Sequence, residues 1–196
     1  MMTQRKIGLT GGISTGKTTV SNYLVNTYHL PILDADIYAR EAVQIGSPIL
    51  DKIAQRYGTE ILLPDGTLNR QKLGEIIFPN NEERIWLEQQ IHPYVRERFA
   101  EAMNQLPSNS TVILVIPLLF EAKLTNLVTE IWVVFVEEQQ QIERLMQRNN
   151  LTLEQAKARI NSQMPLAEKC QKADIILDNS GSLEYLYQQI DAALAS

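Results

Sequence analysis

Five short, mainly apolar runs punctuate the chain, at positions 7–10, 32–34, 112–116, 131–136 and 174–178. Continuous runs rich in β-branched residues suit strands covered on both faces, as in a parallel sheet, whereas a half-exposed strand would alternate apolar with polar. Between them the apolar positions recur at helical spacing over 17–28, 37–45, 48–57, 82–106, 138–149, 153–163 and 183–194. The alternation predicts an α/β fold with a five-stranded parallel sheet flanked by helices. The second and third runs are about 75 residues apart, far more than one crossover helix needs. That surplus predicts a helical subdomain inserted at 47–106, with the core made from 1–46 and 107–196. Inside the insertion, Leu63-Pro64-Asp65-Gly66-Thr67 reads as a tight turn and Asn69 as the cap of a helix over 70–77.

The first strand runs into Gly11-Gly12-Ile13-Ser14-Thr15-Gly16-Lys17-Thr18. Two glycines four residues apart, followed by Lys and Thr between a strand and a helix, form the phosphate-binding loop pattern. The spacing has a mechanism: backbone N–H groups ring a phosphate, Lys17 reaches its outer oxygens, Thr18 offers a hydroxyl to Mg²⁺, and the helix start points its positive dipole end at the anion. The nucleotide site is therefore read as Gly11, Gly12, Ile13, Ser14, Thr15, Gly16, Lys17, Thr18 and Thr19. No Asn-Lys-x-Asp segment is present to read guanine, which favours ATP as the nucleotide with Mg²⁺ beside it.

Composition narrows the partners. A net charge of −5 leaves no basic stripe for nucleic acid or an anionic membrane. The single cysteine, Cys170, cannot form an internal disulfide, and no Cys/His cluster suggests a structural metal. The few apolar residues that precede the glycines do not make a signal peptide, and the longest apolar run, 112–120, is too short to span a bilayer. The expectation is a cytoplasmic protein acting on small molecules, as a monomer or weak homo-oligomer.

Ligands of such sheets sit beyond the carboxyl ends of the strands. Asp34 and Asp36 close the second strand there, and period-two geometry would put both carboxylates on one side, where one can orient an acceptor hydroxyl or a metal-bound water; Asp36 reads equally as the N-cap of the helix from Ile37. Arg144 and Arg148 share one helix face and Arg159 follows after the Asn149-Asn150 break. Such arginines suit a lid over about 138–165 that stabilises charge on a moving phosphoryl group, or else a solvated surface. Glu121 either assists Mg²⁺ or starts the next helix. Asp178 resembles the metal-ligating acid of motor ATPases but is read as a strand terminus, and His92, before Pro93, as structural or else catalytic.

Taken together these residues resemble the dephospho-CoA kinase family along nearly the whole chain. The likeness is carried by residues 8–13, Asp34 and Asp36 with Arg40, Gly66 with Asn69 and Arg70, Ile91-His92-Pro93, residues 117–121, Arg144 with Arg148, Arg159 with Gln163, and Ala173-Asp174 leading to Asn179. The resemblance implies a P-loop kinase fold with an inserted CoA-binding subdomain and a lid, transferring the γ-phosphoryl of MgATP to the ribose 3′-hydroxyl of dephospho-CoA. It implies Lys17, Asp36, Arg144 and Arg148 as catalytic, with Asp36 orienting the acceptor. Asp34, Asp36, Arg40, Arg70 and His92 would contact the acceptor, and Asn179 would border the adenine. One position departs: the family often has Gly-Ser where this chain has Ser14-Thr15. The alternatives are a small-molecule kinase resembling shikimate or nucleotide kinases, disfavoured by the long insertion, and an ATP-dependent switch protein.

Overall fold

In the computed structural model, which describes residues 4–196, each apolar run becomes a strand. β1 (Arg5–Gly11), β2 (Ile32–Asp34), β3 (Thr111–Val115), β4 (Glu130–Phe135) and β5 (Ile175–Asp178) form one parallel sheet in the order β2-β3-β1-β4-β5. The central strand β1 carries the register: Leu9 lies opposite Val115 on one side and Trp132 on the other. At the edge, Leu33 pairs with Leu114. Alternate residues of the strands face a single core. Ile7, Leu9, Ile113, Val115, Trp132, Val134 and Leu177 meet Val20 and Leu24 of α1 (Lys17–Tyr28) and Leu186, Ile190 and Ala193 of α9 (Leu183–Ala195).

These elements belong to a compact unit that runs through Asp34 and resumes from Leu106 to Ser196. It also holds α6 (Glu138–Asn149), α7 (Leu153–Asn161) and α8 (Leu166–Gln171). Thr152 starts α7 with a reciprocal capping box, its side chain accepting from Gln155 N while the Gln155 side chain accepts from Thr152 N. α8 was not expected from the pattern, because its buried position is a lysine, Lys169, with no solvent exposure.

A second unit spans Ala35–Gln105 and contains α2 (Ala35–Glu41), α3 (Pro48–Tyr57), α4 (Arg70–Ile77) and α5 (Asn81–Asn104). Its start falls at Ala35 rather than at 47, since the residues of and after α2 pack within it: Ala42 and Val43 join the Leu50, Ile53, Leu73 and Leu87 core, and Tyr38 meets the Phe99 ring edge-on at 5.2 Å. α2 occupies 35–41 instead of 37–45. Beyond Glu41 the chain tightens into short turns, with Val43 N and Gln44 N bonding three residues back, and reaches Gly46 at φ 84.

Sequence signals place the other helices here. Ser47 accepts from Leu50 N with Pro48 at the first helical position, Asn69 accepts from Lys72 N, and Asn80 accepts from Glu82 N and Glu83 N. The 63–67 turn forms as read, with Thr67 N and Oγ1 both donating to Asp65 Oδ1. A fork-on-fork pair joins Arg56 to Glu83 at 2.7 and 2.9 Å, the guanidinium lies 4.6 Å from the Trp86 ring centre, and Tyr57 Oη donates to the same carboxylate at 2.6 Å. These hydrogen bonds hold the Glu83 carboxyl down at about 2, while burial and the Glu83 acceptor push the Tyr57 phenol up to about 12.

Candidate active site

The phosphate loop is built by the strand and helix that flank it. β1 delivers the chain to Gly11, and α1 starts at Lys17 behind Gly16, whose φ of 101 is the left-handed conformation that glycine tolerates and that supplies no side-chain cap. The first-turn amides therefore face no competing side-chain acceptor from their own N-cap, which suits an anion. Any side chain at Gly16 would collide with the amide nitrogen of Asn179. Lys17 folds back over the loop, its Nζ donating to Gly12 O at 2.7 Å and Gly11 O at 3.4 Å, and Thr15 Oγ1 donates to Gly12 O at 3.0 Å. Thr18 is exposed at the head of α1, with Thr19 next to it.

Three amide side chains brace this loop from outside. Asn179, 5% exposed just after β5, donates from Nδ2 to Thr15 O at 2.8 Å, while its own carbonyl accepts from Arg144 Nη2 at 3.0 Å. The structure thus links three of the residues read from the sequence, Thr15, Asn179 and Arg144, in one chain of bonds. Gln141 of α6 donates to Ile13 O at 2.8 Å, and Gln163, just past α7, accepts from Ile13 N at 2.9 Å. The Ile13 side chain packs against the small core of α6 and α7 formed by Ile142, Leu145 and Ala156. Arg148 lies one turn beyond Arg144 at the exposed end of α6, donating to Asn149 Oδ1, and Arg159 is exposed on α7. A cavity of about 640 Å³ lined by Gly12, Gln141, Gln163 and Phe135 opens beside the loop.

At the carbonyl of Pro117, just after β3, sits an ion pair that the sequence did not announce. Lys169 Nζ contacts Glu121 Oε1 at 2.8 Å and donates to Pro117 O at 3.1 Å, a carbonyl that also accepts from Thr10 Oγ1. Glu121 Oε1 accepts further from Met164 N at 3.0 Å. Glu121 therefore lies in a turn rather than at the start of a helix, and it is committed to Lys169 and Met164. Its other oxygen, Oε2, is buried without a hydrogen-bond partner. Asp178 behaves as a strand terminus, its Oδ1 accepting from Ser180 N at 2.9 Å.

Asp34 ends β2, and the chain turns helical at once, so strand alternation does not extend to Asp36, which is exposed in the first turn of α2 and is not a cap. A carboxylate there complements the helix dipole. Within the second unit Arg40 and Arg70 line a pocket of about 490 Å³ with Gln44, Ile45 and Thr67. His92 lies on α5, half-buried, and is not among the residues lining that pocket. Burial pushes its imidazole below the ordinary range, Arg96 acting in the same direction and Glu88 against it. Among the described residues no group of three or more His, Cys, Asp or Glu is gathered for a metal, and no helix is long and apolar enough to cross a membrane.

The loop, the arginines and the sheet order describe a P-loop kinase, and comparison with known proteins decides which kind. The dephospho-CoA kinase family model matches residues 5–185. The chain belongs to the dephospho-CoA kinase family. It is 68% identical over 193 residues to the dephospho-CoA kinase of Trichormus variabilis and 62% identical over 187 residues to that of Synechocystis, covering 98% and 93% of those proteins with 98% and 95% of its own length. Among solved structures it superposes on a Thermus thermophilus protein with a TM-score of 0.84 at 33% identity, covering 98% of this chain and 97% of that one. The dephospho-CoA kinase of Campylobacter jejuni follows at 0.72 and 31%, with 97% and 95% covered. A shikimate kinase from Aquifex aeolicus, at 0.53 and 16% with 97% and 96% covered, shares the fold alone. The activity is that of the family: ATP-dependent phosphorylation of the ribose 3′-hydroxyl of dephospho-CoA, giving coenzyme A and ADP.

Sequence reading missed Gln141 and Lys169 as members of this neighbourhood. Gln163 entered only through the family likeness. An isolated buried glutamine or lysine leaves no mark on a hydropathy pattern beyond a polar residue at an apolar helical position, which Gln141 and Lys169 both are.

Proposed function

We propose that the loop amides of residues 11–19 and Lys17 hold the β- and γ-phosphates of ATP, that Arg144 and Arg148 act from a lid over 138–165 on the transferring phosphoryl group, and that Asp36 orients the acceptor hydroxyl. The observation that carries this reading is the loop itself: a glycine-capped helix start with a lysine lying across it. Phosphoryl transfer passes through a loose transition state in which little covalent help is needed, so charge placement and alignment supply most of the rate. Lys17 exchanges its carbonyl partners for phosphate oxygens when ATP arrives. As the acceptor oxygen bonds to the γ-phosphorus, the bond to the β–γ bridging oxygen breaks, ADP leaves, and the hydroxyl proton passes to Asp36. Asn179 borders the adenine while its amide keeps the loop in place.

Mg²⁺ fits the donors present. It commonly keeps several waters and uses one or two protein oxygens besides substrate phosphates, and the exposed Thr18 hydroxyl offers one such oxygen at the loop. The ion supplies charge neutralisation on the phosphates. Asp34 is a candidate to hold a water of its shell.

The second unit is proposed to bind the part of dephospho-CoA that does not react. Arg40 and Arg70, two cations on one pocket with Thr67 and Gln44 beside them, suit its pyrophosphate, and His92 is assigned to the same acceptor on the family likeness alone. The single cysteine and the lack of a spanning helix among the described residues support a cytoplasmic enzyme, taken as a monomer or weak homo-oligomer.

Steady-state kinetics on three variants test these roles. Asp36→Asn is expected to lower kcat by ~10² or more with the KM for ATP unchanged, whereas Arg40→Met and Arg70→Met each raise the KM for dephospho-CoA by roughly tenfold and leave adenosine, which lacks the pyrophosphate, unaffected as a poor acceptor. Near-wild-type turnover in Asp36→Asn removes it from the mechanism, and equal losses on both acceptors remove the arginines from pyrophosphate binding.

A further inference from the structure

Ser14 occupies a conformation that its side chain opposes. Its φ is 60, in the left-handed region that glycine adopts without cost and a side chain does not. Asn and Asp offset this conformation by bonding locally, but the Ser14 hydroxyl is buried with no hydrogen-bond partner. Relative to glycine, a serine held this way is disfavoured by about tenfold, so something outside the residue must keep it there.

We propose that Gln141 and Gln163 are positioning residues that hold Ser14 left-handed by gripping the two peptide groups that precede it, and so keep the phosphate loop in its nucleotide-binding shape. The angle φ of Ser14 is a rotation about its N–Cα bond, measured against the Ile13–Ser14 peptide plane. The oxygen of that plane, Ile13 O, accepts from Gln141 Nε2 at 2.8 Å. The preceding plane is fixed through Ile13 N, which donates to Gln163 Oε1 at 2.9 Å. Between the two, the Ile13 side chain packs against the core of Ile142, Leu145 and Ala156. Three attachments thus converge on the residue before the strained one. Gln141 is 3% exposed, so water does not compete for its bond. Room for it exists because residue 12 is glycine: a Cβ there would lie 2.5 Å from Gln141 Nε2.

The inference rests on reading residues 11–18 as the phosphate cradle. From it follows a coupling that a merely structural glutamine would not show: the value of each glutamine depends on which residue stands at position 14. The test is a double-mutant cycle read by equilibrium binding of ATP and by kcat and KM, with Gln141→Met and Gln163→Met each made alone and in a Ser14→Gly background. In the serine background each is expected to weaken ATP binding about tenfold, while in the Ser14→Gly background the same substitution costs less than about threefold. Equal losses in both backgrounds overturn the proposal, since the glutamines would then act without reference to Ser14. Should Gln141→Met fail to fold, as judged by its thermal transition, the Gln163 pair decides alone, Gln163 being only partly buried. Failure of the cradle reading has a different signature, undiminished ATP binding in Lys17→Met.

Discussion

Lys169→Met removes a cation that has no contact with bulk water while preserving much of the side-chain volume. Lys169 has 0% exposure and its partner Glu121 retains 24%, with 2.8 Å between Nζ and Oε1. At an effective dielectric constant of about 20, two unit charges at that distance attract by ~6 kcal/mol. Desolvation offsets several kcal/mol of this, yet deleting one partner costs about 3–5 kcal/mol because the other charge stays behind. Water reaches part of Glu121, which puts the expectation near the lower limit, ~3 kcal/mol. The loss is compounded locally, since Pro117 O keeps only Thr10 Oγ1 as a donor and Glu121 keeps only Met164 N. For a chain of this size that corresponds to a fall of roughly 6–12 °C in Tm. The assay is urea unfolding followed by Trp132 fluorescence in a Trp86→Phe background, which confines the signal to the first unit. Adding Glu121→Gln to Lys169→Met is expected to return all but ~1 kcal/mol, because no uncompensated charge remains. A single-variant loss below ~1 kcal/mol, or strict additivity in the double variant, would refute the argument that this pair is a buried brace.

Lys17→Met and Thr18→Ala are both expected to lower kcat/KM by ~10² or more, but raised Mg²⁺ should partly rescue only the second, as titration of activity against metal would show; equal rescue contradicts the assigned roles. Arg148→Lys should lower kcat and kcat/KM together, because a point charge does not reproduce a bidentate fork on phosphoryl oxygens, and full activity in single-turnover assays would demote Arg148 to a surface charge. Glu83 has its carboxyl lowered from 4.5 to about 2, first through the Arg56 hydrogen bond. A depressed carboxyl contributes its stability fully above about pH 4.5 and loses it as pH falls toward 2. The second unit, followed by Trp86 fluorescence, should therefore weaken across that window, and Glu83→Gln should flatten the slope.

All five strands and most of the helices were legible as pattern, with the 48–57 and 70–77 helices starting where the Ser47 and Asn69 caps put them. The caps are local chemistry, which is why Ser47 and Asn69 could be read without knowing the fold. The phosphate loop was legible for the same reason. α8 was not, because Lys169 turns its one deeply buried position into a charged letter, and its justification, Glu121, lies far away in sequence. The end of α2 was misread since Ala42 and Val43 keep facing a core after the helix has stopped. Gln141 is the sharpest case. Its meaning depends on the Ile13 carbonyl in three dimensions, and a single buried amide among the glutamines 139–141 cannot be told from its exposed neighbours by composition.

The position of β3 in the sheet has a consequence for how the protein is made. β3 lies between β1 and β2 and pairs with both, yet it is encoded only after the whole of the second unit. While residues 35–110 are being synthesised, at a typical 5–20 residues per second about 4–15 s, β1 and β2 lack the strand that lies between them, and Ile7, Leu9 and Leu33 have no sheet to enter. The second unit is contiguous in sequence and suffers no such wait. During that interval the hazard of edge-to-edge association falls on the short strands at 5–11 and 32–34, which await their partner β3.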